Sequence, residues 1–183
     1  MEAHGTGKGL PENAYRKLNP GEVYQPIIRH DQSVPEMTFR SIFWGLIMAG
    51  VFSAAAAFFG LKVATVFEAA IPIAILAVGI SSIAGAMGMR KSSILENVII
   101  QSIGAASGLI VAGAIFTIPG LFILGLDVSL VKMALVSFFG GVLGILFMIL
   151  FRKYFVAEMH GEFPFPEATA TTEILVAGET GGK

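Results

Sequence analysis

The stretch NVIIQSIGAASGLIVAGAIFTIPGLFILGL, residues 97–126, decides the fold, because it contains thirty consecutive residues without a charge. About 20 apolar residues in a helix cross the ~30 Å hydrocarbon core of a bilayer. A soluble helix also needs a polar face toward water, and this stretch has none along its full length. Three further uncharged stretches of 19 or more residues lie at 41–61, 69–89 and 133–151. The sequence therefore predicts an all-α integral membrane protein with about four transmembrane helices.

The composition excludes several functional classes. Only 14% of the 183 residues are charged, against about 25% in ordinary soluble domains. A net charge of −1 gives no electrostatic footprint for nucleic acid. The chain has no cysteine, and its three histidines, His4, His30 and His160, are isolated in sequence, so no metal-ligand spacing or catalytic arrangement can be recognised. We expect no metal, no cofactor and no enzymatic activity.

Turn and helix-end signals divide the chain into three parts. We predict a tail at 1–37, a transmembrane region at 38–154 and a loop at 155–183 that leads into a truncated further helix. Pro72 suits the first turn of the second span, and Ser93 with Glu96 forms a capping-box pattern at the start of the third. Pro119-Gly120 is expected to end that span. The four predicted spans are 38–60, 71–89, 93–118 and 130–151.

The distribution of Lys and Arg predicts the orientation. Five lie in the first 40 residues, two at 90–91 and two at 152–153, whereas the alternate loops carry Lys62 and Lys132 alone. Because cytoplasmic loops are enriched in Lys and Arg, nine against two places the N-terminus in the cytoplasm. The tail and the 155–183 loop are then cytoplasmic, and we expect a multi-pass protein of the plasma or inner membrane.

One face of the third span collects its small and amide side chains. Asn97, Gln101, Gly104 and Gly108 fall within a stripe about 60° wide at 100° per residue. The two glycines form a small-xxx-small pattern that permits close helix packing, and the fourth span repeats it at Gly140 and Gly144. The two amides either bond a neighbouring helix or line a substrate path.

Two carboxylates near the spans are candidates for proton coupling. Glu68 lies between the first two spans, where it is either intramembrane or at the outer interface. Glu96 lies in the first turn of the third span, where capping and interaction with the helix dipole are the alternative explanation.

Several segments together resemble one transporter family. They are LPENAYRKLNPGEVYQP (10–26), SVPEMTFRS (33–41), FFGLKVATVFEAAIPIAIL (58–76), SSILENVIIQSIGAASG (92–108) and RKYFVAEMHGEFPFPEATATTEILVAGE (152–179). In this order they are similar to the oligopeptide transporter (OPT) family, whose other branch contains the yellow-stripe-like metal-chelate transporters. The third span carries the family's Asn-x-x-x-Gln pattern, and residues 164–166 its Pro-aromatic-Pro motif.

The resemblance implies a secondary active transporter that moves small oligopeptides or peptide-like metal chelates, coupled to protons. It implies substrate-pathway roles for Asn97, Gln101, Pro164, Pro166 and Glu167. Family members are several times longer, so we expect an N-terminal portion whose partners are the bilayer, the remaining spans and the substrate. Two alternatives stay open at this point: a structural or assembly membrane protein that acts through helix packing, and a channel-like homo-oligomer.

Overall fold

The computed structural model describes residues 9–179, and within that range the chain forms helices and no strand. This confirms the all-α prediction. The five α-helices are α1 (Phe39–Val63), α2 (Ala70–Ala86), α3 (Ile94–Ile123), α4 (Leu130–Lys153) and α5 (Pro166–Glu179).

Three of these helices are long and apolar enough to cross a membrane: α1, α3, and α4 with its π-helical extension Tyr154–Glu158. The remaining predicted span, 71–89, corresponds to α2, which has 17 residues. At 1.5 Å per residue α2 is about 25 Å long, slightly shorter than the hydrocarbon core. The count of four spans and the cytoplasmic N-terminus therefore stay predictions.

Side-chain caps fix the first turns of α1 and α3. The predicted capping box of α3 is present, since the Ser93 hydroxyl accepts from the Glu96 amide at 3.1 Å and the Glu96 carboxylate accepts from the Ser93 amide at 2.9 Å. A second box at α1 pairs Thr38 with Ser41. It was not predicted, because Ser replaces the usual Glu or Gln at the third helical position.

Pro119 does not end α3, contrary to the expectation; the helix continues to Ile123. Proline removes one backbone hydrogen bond, which in water favours ending the helix. In hydrocarbon an ended helix would leave several backbone groups without partners, so continuing costs less. Thr117 lies two residues before Pro119, and its hydroxyl donates to the Gly113 carbonyl at 2.9 Å, which adds a side-chain bond to this part of the helix.

Glycines permit the close packing of α1, α2 and α3. A Cβ built on Gly104 would lie 2.7 Å from Cδ1 of Ile73 on α2 and 3.3 Å from Cβ of Met48 on α1. One built on Gly108 would lie 3.9 Å from Cβ of Ala69. These contacts place Gly104 and Gly108 at the face of α3 that packs against α1 and α2. They also show that α2 runs antiparallel to α3.

Helix α5 lies beside α2 and α3. A Cβ on Gly178 would approach both Cγ atoms of Val78 to 2.5 Å, and Leu175 and Val176 share a buried cluster with Ala74. The contacts advance along both helices in the same sense, so α5 runs parallel to α2. A helix was expected in this region and is present. Its C-terminal end lies beside the α2–α3 connection, which the sequence predicted to be cytoplasmic. A further span that leaves the cytoplasm would instead have its N-terminal end there.

Helix α4 packs differently from the others. None of its residues is buried, and a Cβ on Gly140 or Gly144 would meet no atom within 4 Å. The expectation that these two glycines are helix-packing positions therefore finds no partner helix within residues 9–179.

Candidate functional site

A groove of about 620 Å³ runs between α2, α3 and α5. The segment before α1 forms its remaining wall, through Tyr24 and residues 26–28. The volume lies within the range of ligand pockets, about 300–1,000 Å³. Most of its surface is apolar. Its polar members are Tyr24, Glu68, Gln101, Glu167, Thr171 and Thr172.

The groove brings together three of the residues proposed from sequence: Glu68, Gln101 and Glu167. They come from three different elements, the loop before α2, the body of α3 and the first turn of α5. Glu68 is half-buried and Glu167 is exposed. Within the described chain, neither carboxylate has an ion pair or a side-chain hydrogen bond.

Asn97 lines a different cavity, although it shares a helix face with Gln101. This cavity of about 260 Å³ lies at the opposite end of α2, beside Arg90, Lys91 and Glu179. Asn97 is 3% exposed, and its Oδ1 has no hydrogen-bond partner among residues 9–179. The structure thus separates the two amides that the sequence placed in one stripe.

Glu96 connects the starts of α1 and α3. Its buried carboxylate accepts hydrogen bonds from Thr38 Oγ1 at 2.6 Å, Arg90 Nη2 at 2.7 Å and Arg40 Nη2 at 3.4 Å, besides the Ser93 amide. A buried carboxylate requires such donors because burial removes its hydration. The geometry therefore gives Glu96 a structural task, as the alternative explanation anticipated.

The two prolines at 164 and 166 are exposed, and neither is among the residues that line the groove. Pro166 is the first residue of α5, where the fixed φ of proline suits a helix start and its missing N–H costs nothing. Pro164 precedes that start between Phe163 and Phe165, whose rings meet edge to face at 6.4 Å. Both prolines thereby position Glu167, which follows in the first turn.

The segment before α1, which the sequence predicted only as a tail, packs against the C-terminal part of the chain. The Tyr15 hydroxyl donates to Glu173 at 2.5 Å, and this hydrogen bond raises the pKa of Tyr15. The His160 ring contacts the Asn13 carbonyl at 2.8 Å, and Lys17 forms an ion pair with Glu162. These partners lie about 150 positions apart, so no local pattern could have predicted them.

Sequence reasoning also missed Thr171. This residue is 5% exposed, its hydroxyl has no partner among residues 9–179, and it lines the groove. The repeated Thr and Ala at 168–172 was noted only as part of the resemblance. As for metals, no group of three or more His, Asp or Glu side chains within the described range could hold an ion.

The comparisons with known proteins identify the family of the chain. The model of the family described as "OPT oligopeptide transporter protein" matches residues 36–183. The chain belongs to this family. A Haemophilus influenzae protein named "Putative oligopeptide transporter" is 34% identical over 123 residues, which cover 66% of the chain. The match spans 18% of the length of that relative. No solved structure matches the chain significantly.

Proposed function

We propose that the chain forms part of a secondary active transporter that moves small oligopeptides or peptide-like metal chelates across the plasma or inner membrane. Membership of the OPT family supports transport, and the name of the Haemophilus influenzae relative supports oligopeptides as the substrate. In this proposal the remaining part of the pathway comes from further spans of a longer protein.

The groove supports a substrate-binding role for this part of the molecule. It places an amide and two carboxylates from separate elements around one space with mostly apolar walls. Ligand sites commonly combine apolar walls with a few convergent polar groups. The proposal therefore assigns substrate contact to Gln101 and Glu167, with Pro164 and Pro166 holding the start of α5.

Proton coupling is the finer part of the proposal and is assigned to Glu68. A coupling carboxylate must be able to gain and lose a proton during the cycle. Glu68 is half-buried and has no ion pair among residues 9–179, whereas Glu96 contacts two arginines. These contacts oppose protonation of Glu96, so Glu68 is the better candidate of the two.

Uptake of a labelled tripeptide by cells that express the intact protein tests the substrate role. We expect Gln101→Ala to reduce uptake about tenfold, because losing one ligand hydrogen bond in an apolar groove costs on the order of 1.4 kcal/mol. Thr117→Ala, on the same helix but outside the groove, is the matched control and should retain uptake. Wild-type uptake by Gln101→Ala at equal expression would contradict the substrate role.

The coupling role has a separate test. Glu68→Gln cannot exchange a proton, so it should abolish accumulation of tripeptide against its gradient. At saturating peptide it should still exchange labelled for unlabelled peptide across the membrane. Accumulation that persists in Glu68→Gln would remove Glu68 from the coupling mechanism.

A further inference from the structure

We propose that the groove is polarised and binds the ammonium group of a short peptide at the end formed by Glu68 and Glu167, with the apolar side chains of that peptide toward the other end. That the ammonium group belongs to a peptide rests on the proposed function. The preference for a cation rests on the groove itself.

The parallel packing of α2 and α5 places both carboxylates at one end. Ala74 lies in the cluster of Leu175 and Val176, and four residues further along α2 Val78 meets Gly178. Glu68 precedes the first residue of α2 by two positions, and Glu167 is the second residue of α5. Both therefore lie at the starts of two helices that run side by side, about 15 Å from the Val78–Gly178 contact at 1.5 Å per residue.

The charge of the groove has no internal compensation. No Lys, Arg or His is among its lining residues. By contrast, Glu22 pairs with Arg16, and Glu96 with Arg40 and Arg90. A carboxylate that loses water when a ligand covers it needs a new donor or opposite charge. A cationic ligand supplies both.

Thr171 gives an independent indication that the groove has a ligand. Its hydroxyl is buried, lines the groove and has no partner within residues 9–179. Buried polar groups are nearly always hydrogen-bonded, so an unpaired hydroxyl beside an open groove calls for a partner. Peptide N–H and C=O groups are suitable partners for this hydroxyl and for the Gln101 amide.

The opposite end of the groove is apolar. Ile94, Leu95 and Val98 of α3 face Leu175 and Val176 of α5 there. Burying hydrocarbon against these residues contributes roughly 25 cal/mol per Å². The groove therefore matches an amphiphilic cation, such as the N-terminal part of a peptide with apolar side chains.

Binding of two probes to the intact protein in nanodiscs tests the proposal. The probes are Leu-Leu-Leu and its N-acetylated form, in which an uncharged acetamide replaces the ammonium group. We expect the free tripeptide to bind at least tenfold more tightly, as for one hydrogen bond to a charged group. Glu68→Gln and Glu167→Gln should each reduce this preference, and the double variant should abolish it. Glu12→Gln, in the segment before α1 and outside the groove, should leave the preference unchanged.

The outcomes separate this inference from the proposed function. Equal binding of both probes by the wild-type protein would overturn the cation preference, while tripeptide uptake by cells would keep the transport proposal. A tenfold preference for the free tripeptide, without tripeptide uptake by cells, would support the inference and contradict the transport proposal. Binding of neither probe would overturn the inference, as expected if another segment of a longer chain fills the groove. A preference that survives in the double variant would also overturn it.

Discussion

The two halves of the membrane region differ in how they use the same sequence device. In α3, Gly104 and Gly108 face α1 and α2, and added Cβ atoms there would meet Ile73, Met48 and Ala69. In α4, Gly140 and Gly144 have the same spacing, and added Cβ atoms would meet nothing within 4 Å. A small-xxx-small pattern therefore allows close approach of helices but does not specify which helix, if any, approaches.

The polar groups show the same difference. The start of α3 is joined to α1 through the buried Glu96 carboxylate, which accepts from Thr38 and Arg40. Within the described chain, no side-chain hydrogen bond or ion pair joins α4 to α1, α2 or α3. Because apolar side chains gain little by leaving lipid for another helix, shape and polar contacts decide which membrane helices associate. By this criterion α1, α2, α3 and α5 form one packed unit, and α4 is only loosely attached to it.

The largest expected effect comes from removing the carboxylate at the centre of the packed unit. Glu96→Ala removes the one acceptor that Arg40, Arg90 and Thr38 share, and with it half of the α3 capping box. We expect a loss of about 3 kcal/mol in the free energy of unfolding. Thermal unfolding in detergent can be followed by the fluorescence of Trp44, the one tryptophan, which packs against the core of α1, α2 and α3.

The control for this change is Glu158→Ala at the end of α4. Its carboxylate is 54% exposed and lies 3.7 Å from Lys153. An exposed ion pair contributes on the order of 0 to 1 kcal/mol, so the control should unfold close to the wild-type temperature. Equal losses in Glu96→Ala and Glu158→Ala would refute the view that Glu96 holds the packed unit together.

A glycine substitution compares the two halves directly. Gly104→Leu inserts a side chain where a Cβ alone lies 2.7 Å from Ile73, and such overpacking costs about 1–3 kcal/mol. Gly140→Leu adds the same atoms to open space, so in the 183-residue chain we expect a change within about 0.5 kcal/mol. Unfolding temperatures of the two variants in the same detergent provide the measurement. A Gly140→Leu variant that is destabilised as much as Gly104→Leu would show that α4 also packs tightly.

Much of the architecture could be predicted because it depends on local chemistry. The uncharged stretches predicted the helices, and the capping-box pattern of Ser93 and Glu96 predicted the start of α3. The Pro119 expectation failed because it applied a rule for helices in water to a helix in an apolar stretch. The direction of α5 could not be predicted, since a periodic pattern is the same for parallel and antiparallel packing.

The site could be predicted only in part. Glu68, Gln101 and Glu167 were each chosen for a separate reason, and only tertiary packing places them around one groove. Asn97 shares a helix face with Gln101 but lines another cavity, together with residues of the α2–α3 connection and of the end of α5. Thr171 carries no signal in the sequence beyond its position in a Thr- and Ala-rich stretch.

The smallest expected effect extends the comparison to the segment before α1, which contacts α5 through Tyr15 and Glu173. Glu22 accepts two hydrogen bonds from the Arg16 guanidinium at 2.9 Å each and one from the Asn19 amide at 3.0 Å, and these bonds lower its pKa to about 2 from 4.5. A lowered pKa in the folded state means that the stabilisation is present above pH 4.5 and is lost as the pH falls toward 2.

A ¹³C NMR titration of the Glu22 carboxyl carbon in micelles should give this low midpoint. Arg16→Met should raise the midpoint toward 4.5, because the largest cause of the shift is gone. A midpoint near 4.5 in the wild-type chain would show that residues 13–22 are not held in this turn, and that this segment, like α4, is only loosely attached.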